Sequence, residues 1–418
     1  MRRESLPLPA RCLWLSRYLP YPIDSGATQY SAKMAESLAA TGVHVRYLGF
    51  GGAEQMPAIA NIEWCRVPGE RRHPARALLT TLPVAAAIDA TPAYKMLLEE
   101  QLREPWDLIV FDGYGTGWAL RRCKQHRRAA AALLVHVSHN HEAGLWRSMA
   151  QQARRSLLQK LVLWHNAWRA DRLERRLVRT GDLVTTITAE DGRALGAHGR
   201  HARVLALTPG YDGPVAPERT VDTTTPRRVL LVGSFHWVVK QENLRQFVDC
   251  ADALFHAAGI ELDVVGDVPQ ALRLELSART RATSFHGFAP DMLAFTSAAR
   301  LAVVPEVIGG GFKMKFLDYF FSRVPVASLT HAAVGLPDEL RTHVLMREQL
   351  PALVQLIVDC IDRVDLLDDM QRCALARAST LFRWPDRGRA LRAAITREQR
   401  ARVPQTTAAP VATPLTRT

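Results

Sequence analysis

Residues 303–329 read VVPEVIGGGFKMKFLDYFFSRVPVASL and contain a complete strand–loop–helix–strand unit. A buried apolar run ends at Pro305-Glu306, three glycines follow, and an amphipathic stretch leads to a second apolar run at 325–329. Two short apolar runs joined by a helix are typical of parallel strands. The stretch therefore predicts a doubly wound α/β fold, in which ligands bind at the carboxyl ends of the strands.

The same alternation extends through the rest of the chain. Seven more short apolar runs lie at 11–16, 45–50, 107–113, 131–140, 183–188, 228–234 and 261–267, separated by amphipathic stretches. Residues 209–228 between them are rich in Pro, Thr and Gly and lack apolar periodicity, as in a linker. We predict two Rossmann-like domains, 1–213 and 226–380, and a disordered Pro/Thr/Ala-rich tail at 403–418.

The overall composition excludes several classes of protein. The 418 residues are 48% hydrophobic, which is enough for a folded core, and no apolar run reaches the ~20 residues that span a bilayer. The N-terminal Met-Arg-Arg is not followed by an apolar signal region, so we expect a cytoplasmic protein. Six cysteines without a C-x-x-C pair indicate reduced thiols rather than a disulfide framework or a zinc site.

The net charge of +13 is unevenly distributed. Residues 151–181 contain eight Lys or Arg and two Asp or Glu, interleaved with Leu and Trp, and 121–128 contain five basic residues and no acid. The first segment suits an interfacial helix on anionic lipid, but its Leu and Trp side chains would equally pack on a sheet while the arginines are solvated. No nucleic-acid-binding motif is present, so we predict no nucleic-acid partner.

The glycine loop at 309–311 is the most specific candidate site. Glycines allow the backbone to approach phosphates closely, the start of the following helix attracts anions, and Lys313 and Lys315 in its expected first turn supply charge. We predict a diphosphate-binding loop there. Asp318, one turn further on, is suited to accept hydrogen bonds from ribose hydroxyls.

Three other strand-end loops contain candidate residues. Asp24-Ser25-Gly26 opens a helix that would present free N–H groups to an anion, or is an ordinary helix start. In the polar cluster at 139–142, His139 would hydrogen-bond to a reacting centre, or the cluster has only a structural role. No further Cys or His lies at the spacing of zinc ligands, so a zinc site is not expected. Lys240 follows the turn at Gly233-Ser234 and would either bind a phosphate or be exposed to solvent. In a further loop, the backbone of 286–288 could flank a planar base.

These residues together resemble the retaining GT-B glycosyltransferases, the large nucleotide-sugar-dependent family that includes bacterial polysaccharide and lipopolysaccharide mannosyl- and glucosyltransferases. The resemblance covers roughly residues 11–395 and depends on the order of several motifs. They are Asp24-Ser25-Gly26, His-Asn-x-Glu at 139–142, GDLVTTITAEDGRAL at 181–195, TPGYD at 208–212, VGSFHWVVKQENL at 232–244, FHGFAPDM at 285–292, IGGGFKMKFLDYF at 308–320 and FRWPD at 382–386.

The resemblance implies two domains facing across a cleft, with the acceptor on the first and the nucleotide sugar on the second. It also implies that residues 381–402 form a helix crossing back to the first domain. The residues implied as catalytic are His139, Lys315 and Gly26. The residues implied as donor-binding are Ser234, Lys240, His286, Gly287, Phe288, Glu306, Gly310, Gly311, Phe312, Lys313 and Asp318.

The sequence departs from the family at three of these positions. Two glutamates that many relatives carry are replaced by Gly310 and Asp318, with Glu306 as a candidate substitute, and Ser234 stands where relatives have a basic residue. No Asp-x-Asp motif follows a strand, so we expect transfer without a metal ion or cofactor. The expected donor is a UDP- or GDP-sugar and the expected acceptor a glycan or lipid-linked precursor of cell-surface polysaccharide. Nucleotide-sugar 2-epimerases of the same architecture and a non-catalytic binding protein remain as alternatives.

Overall fold

The computed structural model describes residues 10–126, 131–151, 156–197 and 203–402, and in these ranges the strands form two parallel sheets. The prediction of two Rossmann-like, doubly wound sheets is confirmed. The tail at 403–418 lies outside the described residues, as do 152–155 of the basic segment and 127–128 of the second basic cluster.

The first sheet has the order β3-β2-β1-β4-β5-β6-β7 and the second β10-β9-β8-β11-β12-β13, with every pair parallel. The strands are β1 Arg11–Tyr18, β2 His44–Phe50, β3 Ile62–Arg66, β4 Leu108–Asp112, β5 Leu133–Ser138, β6 Leu183–Thr186, β7 Arg203–Ala206, β8 Arg228–Val232, β9 Glu261–Val265, β10 Thr283–Gly287, β11 Leu301–Val304, β12 Val326–Leu329 and β13 Val344–Arg347.

Helices cover both sheets. They are α1 Gly26–Ala39, α2 Val84–Asp89, α3 Pro92–Gln101, α4 Leu120–Gln125, α5 Glu142–Gln151, α6 Leu157–Thr180, α7 Ala189–Gly196, α8 Val238–Ala258, α9 Gln270–Ser277, α10 Leu293–Ala298, α11 Lys315–Phe321, α12 Asp338–Arg341, α13 Leu350–Cys360, α14 Val364–Leu381 and α15 Trp384–Arg402. Short 3₁₀ helices span Pro74–Leu79, Tyr114–Ala119 and Thr330–Ala333. None of the helices described here is long and apolar enough to cross a membrane.

The central strands form the cores because they are buried on both faces. Every residue of β4, β5, β11 and β12 is buried, as continuous apolar runs in parallel sheets require. Helix α15 leaves the second domain and packs on the first, where Trp384, Leu391 and Ile395 join the core around β1. A Cβ added to Gly388 would lie 2.0 Å from the Ser37 carbonyl oxygen, so the backbones of α15 and α1 nearly touch.

The segment from 207 to 227 has no helix or strand, and the part from Tyr211 onward makes several contacts with the second domain. The ring of Tyr211 stacks on Phe321 with centroids 4.0 Å apart, and Val221 is buried in the core of that domain. The Arg219 guanidinium donates to carbonyl oxygens at the end of α10. This linker is therefore fastened to the second sheet rather than freely extended.

Two local expectations need correction. The apolar runs did not include β3, β7, β10 or β13, which are the four edge strands of the two sheets. Helix α11 begins at Lys315 and has seven residues, so Lys313 precedes the helix instead of lying in its first turn. The glycine loop is correspondingly longer, running from Pro305 to Met314.

Candidate functional site

A buried carboxylate holds the histidine that follows β5. Asp112, the last residue of β4, is 2% exposed. Its Oδ1 lies 2.6 Å from Nε2 of His139, and its Oδ2 accepts a hydrogen bond of 3.0 Å from the indole N–H of Trp14. Burial opposes ionisation, but the neighbouring His139 and these hydrogen bonds outweigh it and keep the pKa of Asp112 below its ordinary value. A carboxylate so placed fixes the orientation of the His139 ring and puts a proton on Nε2.

The start of α1 lies beside this pair. Ser25 caps the helix in a capping box with Thr28, so the chain turns sharply into Gly26. Ser31, one turn along, places its Oγ 3.4 Å from Nε2 of His139, and the Tyr30 ring packs edge-on against the imidazole. The first-domain candidates Gly26 and His139 are thus held by one helix start and one strand end.

In the second domain, three lysines gather around one partly buried glutamate, Glu306. Lys315 Nζ lies 2.5 Å from Oε1 of Glu306, whose Oε2 is buried without a hydrogen-bond partner in the described structure. Burial raises the pKa of Glu306, but Lys315 and Lys313 outweigh this effect and the resulting pKa is below the ordinary value. Burial, followed by the charge of Lys315, lowers the pKa of Lys240. The cluster of Lys240, Lys313, Lys315 and Glu306 contains three ammonium groups and one carboxylate, so its net charge is positive.

The glycine loop is held by side chains on either side of it. Asn243 of α8 donates to the Ile308 carbonyl oxygen at 2.8 Å and accepts from the Ile308 N–H at 2.9 Å. Lys313 Nζ donates to the Gly310 and Gly311 carbonyl oxygens, so its ammonium ties the loop to itself, and burial lowers its pKa. These contacts leave Lys240 and Lys315 as the cations better placed for a phosphate.

The remaining donor-site candidates lie at the ends of β8 and β10 and on α11. Ser234 is exposed, and the His286 ring lies 2.6 Å from Asp263 Oδ1. Phe288 is 80% exposed and does not form part of a packed wall. Asp318 stays in contact with solvent on the face of α11, yet the surrounding protein raises its pKa to about 6, with Lys315 acting in the opposite direction.

The two halves of the site meet across the domain junction. A Cβ on Gly311 would lie 2.2 Å from Oδ1 of Asn140, the residue after His139, and a Cβ on Gly26 would lie 3.1 Å from Cγ of Met314. The Phe312 ring packs on Phe382 with centroids 5.7 Å apart and contacts the cores of both domains. Phe312 therefore packs between the two domains at their junction.

The structure brings the first-domain candidates Gly26 and His139 next to the glycine loop that contains Gly310 and Gly311, and this loop leads into α11 at Lys315. Sequence reasoning missed two residues that position this site, Asp112 and Asn243. Asp112 had a visible signal, because a polar residue followed by glycine ends a wholly apolar strand, DLIVFDG. Asn243 had none, since its partner is backbone 65 residues away.

No group of three or more His, Cys, Asp and Glu side chains is arranged to hold a metal ion within the described part of the chain.

Comparisons with known protein families give a match for each of the two domains. Residues 25–211 match the family model described as glycosyl transferase 4-like domain, and residues 226–363 match the model described as glycosyl transferases group 1. No curated protein sequence is similar enough to this chain to count as a relative.

Several solved structures share the fold along nearly the whole chain. Sucrose-phosphate synthase from Thermosynechococcus elongatus is 18% identical, with a TM-score of 0.66, over 94% of this chain and 99% of that one. Anabaena HepE, in complex with UDP and glucose, is 14% identical, with a TM-score of 0.61, over 93% and 100%. WaaG, a glycosyltransferase involved in lipopolysaccharide biosynthesis, is 17% identical, with a TM-score of 0.59, over 92% and 98%.

The two family models together cover both domains in the order that the resemblance requires, and the neighbours have the same two-sheet architecture. The chain therefore belongs to the GT-B glycosyltransferases.

Proposed function

We propose that this chain transfers a sugar from a UDP- or GDP-sugar to a glycan or lipid-linked acceptor in cell-surface polysaccharide biosynthesis, with retention of anomeric configuration. The observation that carries the proposal is the meeting of the lysine cluster and glycine loop with the His139–Asp112 pair across the junction. The likeness to a structure holding UDP and glucose, and to one involved in lipopolysaccharide biosynthesis, supports the nucleotide-sugar donor and the pathway class.

In this mechanism the donor C–O bond breaks toward an oxocarbenium-like state, and negative charge develops on the leaving diphosphate. Lys315, Lys240 and the N–H groups of Gly310 and Gly311 stabilise that charge. The leaving phosphate takes the acceptor proton, so no separate base and no metal ion is needed. His139, fixed by Asp112, contacts the donor sugar, and chelating agents should leave the rate unchanged.

The other donor contacts follow from the residues near the glycine loop. Asp318 would accept hydrogen bonds from the ribose, Ser234 would lie near the diphosphate, and the backbone at 286–288 would flank the base. Glu306 forms an ion pair with Lys315, and we propose that it substitutes for the missing family glutamate at 310.

Replacing Lys315 tests the proposal. After a thermal-shift screen has identified the stabilising nucleotide sugar, Lys315→Ala should lower the transfer rate by about 100-fold or more, the usual effect of removing one charge-stabilising donor. Lys315→Gln, which keeps a hydrogen bond for Glu306, guards against a folding defect, and Lys124→Ala on exposed α4 is the control. Wild-type rates in both Lys315 variants would refute the catalytic role of Lys315. A wild-type protein that binds the nucleotide sugar but transfers it to no acceptor would favour a binding protein. Conversion of the donor without any acceptor would instead indicate epimerisation.

We also propose that the first half of α6 contacts the anionic cytoplasmic face of the inner membrane. Six large apolar side chains between 157 and 168 are 42–80% exposed: Leu157, Leu158, Leu161, Val162, Trp164 and Trp168. The described residues 156–168 contain Lys160 and no acidic side chain, and Arg172 lies 5.8 Å from the Trp168 ring centroid. A basic helix with exposed Leu and Trp suits the headgroup region of a bilayer. The alternative, in which the apolar side chains of this segment pack on the sheet, describes the second half of α6, where Leu173 and Leu177 are buried.

Vesicle flotation tests this contact. The double variant Leu158→Glu, Leu161→Glu should lose binding to vesicles containing phosphatidylglycerol while its melting temperature is unchanged, because both side chains are already exposed. Leu274→Glu on α9, 61% exposed in the wild type, is the matched control. Equal binding of the wild type to anionic and neutral vesicles would contradict the proposal.

A further inference from the structure

The short loop that carries His139 joins β5 to α5. His139 lies against Asp112, and the next residue, Asn140, meets Gly311 of the second domain. Glu142, the first residue of α5, lines a cavity of about 590 Å³ at the carboxyl ends of β1, β4 and β5, and His139 lines it too. The position of this loop therefore sets both the His139 ring and part of the cavity wall.

The start of α5 has a histidine where helices usually have Ser, Thr, Asp or Asn. The His141 carbonyl oxygen accepts the N–H of Leu145, so His141 is the residue that precedes the first helical residue. The N–H groups of the first turn find no acceptor within a helix. They therefore depend on acceptors from other parts of the chain.

Two carboxylates from other helices supply these acceptors. Glu174 of α6 accepts the N–H of Glu142 through Oε1 at 2.8 Å and the N–H of Ala143 through Oε2 at 3.0 Å. Asp191 of α7 accepts the N–H of His141 through Oδ1 at 3.1 Å. Three consecutive N–H groups are thus bound by side chains that lie 31 to 50 positions further along the chain.

Glu174 is the more deeply buried of these two carboxylates, with 1% of its surface exposed. Burial raises the pKa of Glu174 to about 8, and the N–H groups of Ala143 and Glu142 act in the opposite direction. Because each oxygen accepts one N–H, a proton on either oxygen would remove one of the two hydrogen bonds. The contact therefore requires the ionised carboxylate, whose burial is offset in part by the positive end of the α5 dipole.

Helices α5 and α6 are also joined at a second point. Arg147 of α5 donates to Oδ1 of Asp171, which lies one turn before Glu174 on α6, at 2.8 Å. This ion pair links two side chains, whereas Glu174 binds the backbone of the loop. Pairing of the two helices and placement of the loop therefore depend on different carboxylates.

We propose that Glu174 is a positioning residue for sugar transfer, whose carboxylate fixes the start of α5 and thereby holds His139 and Asn140 in place beside the glycine loop. The inference rests on the proposed function and adds a residue that acts without touching the donor or the acceptor. Misplacing a group at the reacting centre by about 1 Å can cost about 100-fold in rate. Nucleotide binding should be spared, because the proposed nucleotide contacts belong to the second domain.

Glu174→Gln tests the inference, since it keeps the shape of the side chain but replaces one acceptor oxygen with an NH₂ group. With the nucleotide sugar that the thermal-shift screen identifies, kcat should fall by about tenfold or more, while the calorimetric affinity for UDP or GDP stays within about twofold of the wild type. The proton NMR signal of the His139 Nε2–H, assigned by its absence in His139→Gln, should shift in the same variant.

Asp171→Asn is the matched control, because it removes the ion pair between the same two helices and leaves the loop contacts in place. It should keep the wild-type kcat and the wild-type His139 signal. Glu174→Asp keeps the charge on a side chain one methylene shorter, so its kcat should lie between those of the wild type and Glu174→Gln. This milder variant also decides the question if calorimetry shows that Glu174→Gln folds poorly.

A wild-type kcat and His139 signal in either folded Glu174 variant, or an equal loss of kcat in Asp171→Asn, would overturn the inference. Failure of the proposed function would look different. A wild-type protein that binds UDP or GDP and transfers no sugar would contradict that function, and the His139 signal would still report whether Glu174 positions the loop.

Discussion

The three consecutive glycines of the loop are not equivalent. Gly309 and Gly311 have φ of +137° and +70°, which side chains with a Cβ rarely adopt, whereas Gly310 has no positive φ and open space around its Cβ position. Gly311 also lies against Asn140. Backbone geometry therefore requires glycine at 309 and 311, while nothing in the packing requires it at 310.

Alanine substitutions should separate these positions. Gly311→Ala places a Cβ where Asn140 Oδ1 lies and costs about 1–2 kcal/mol of backbone strain, so initial rates of sugar transfer should fall about tenfold. Gly310→Ala keeps the N–H that is proposed to contact the diphosphate, and its Cβ meets no protein atom, so its rate should fall less than that of Gly311→Ala. Equal losses in the two variants would contradict the distinction drawn here between positions 310 and 311.

Asp318 should make stability depend on pH. Its pKa is raised from 3.8 to about 6, so the unfolded state ionises first and the folded state is weakened as pH rises from about 4 to about 6. Asp318→Asn cannot ionise. Its melting temperature should match the wild type near pH 4 and exceed it above pH 6, as followed by calorimetry. A constant difference at all pH values would contradict the raised pKa.

Residue types visible in the sequence predicted where the site is, but not the partners of its side chains. Lys313 and Lys315 were both read as phosphate ligands, yet one ties the loop and the other pairs with Glu306. Such pairings depend on rotamers and on distances between segments far apart in the chain. Asn243 was missed for the same reason, whereas Asp112 had a visible signal in DLIVFDG.

At the scale of elements, the central strands were predictable and the edge strands were not. A strand buried on both faces is a continuous apolar run, as in DLIVFDG, whereas an edge strand alternates and mixes with polar residues. Strand β10, TSFHG, has no fully buried residue, and β3, IEWCR, has none either. The hydrophobic pattern of the sequence therefore predicts the central strands of each sheet but not its edge strands.

Helix α8 contributes to the site by holding the glycine loop. Asn243 is 4% exposed and provides both hydrogen bonds to Ile308, so Asn243→Ala leaves the partly buried N–H and C=O of Ile308 without these partners, at a cost of about 2 kcal/mol. We expect a lower melting temperature and weaker nucleotide binding by titration calorimetry. Gln246→Ala on the same helix, which loses one contact to Glu242, is the control. Unchanged nucleotide affinity would mean that the loop holds its shape without Asn243.

For the whole molecule, the alternation of strands and helices predicted two sheets but not how they face each other. This arrangement depends on close approaches between individual residues at the junction, such as Gly26 to Met314 and Gly335 to Thr188. The periodicity of the sequence does not encode such contacts. The ion pair between Lys33 and Asp212, 2.7 Å long, also joins α1 to the linker. The family resemblance supplied what pattern alone lacked.

The docking of α15 should depend on Gly388. An alanine there would force α15 away from the Ser37 carbonyl of α1, so the melting temperature should fall by several degrees, although alanine favours an isolated helix. Gly196→Ala, at the end of α7, meets Val204 at an ordinary 3.6 Å and should not be destabilising. Calorimetry of both variants measures the difference, and an equally stable Gly388→Ala would show that α15 shifts freely.

The chain passes between the domains twice, at 208–211 and at 382–384, and the two passages are joined side by side. The Tyr211 N–H donates to the Phe382 carbonyl oxygen at 2.9 Å, and the Arg387 guanidinium donates to the Thr208 carbonyl oxygen at 2.6 Å. The two passages run in opposite chain directions, so any change in the angle between the domains has to bend both of them together. A protease that cuts one of them would leave two fragments still held together.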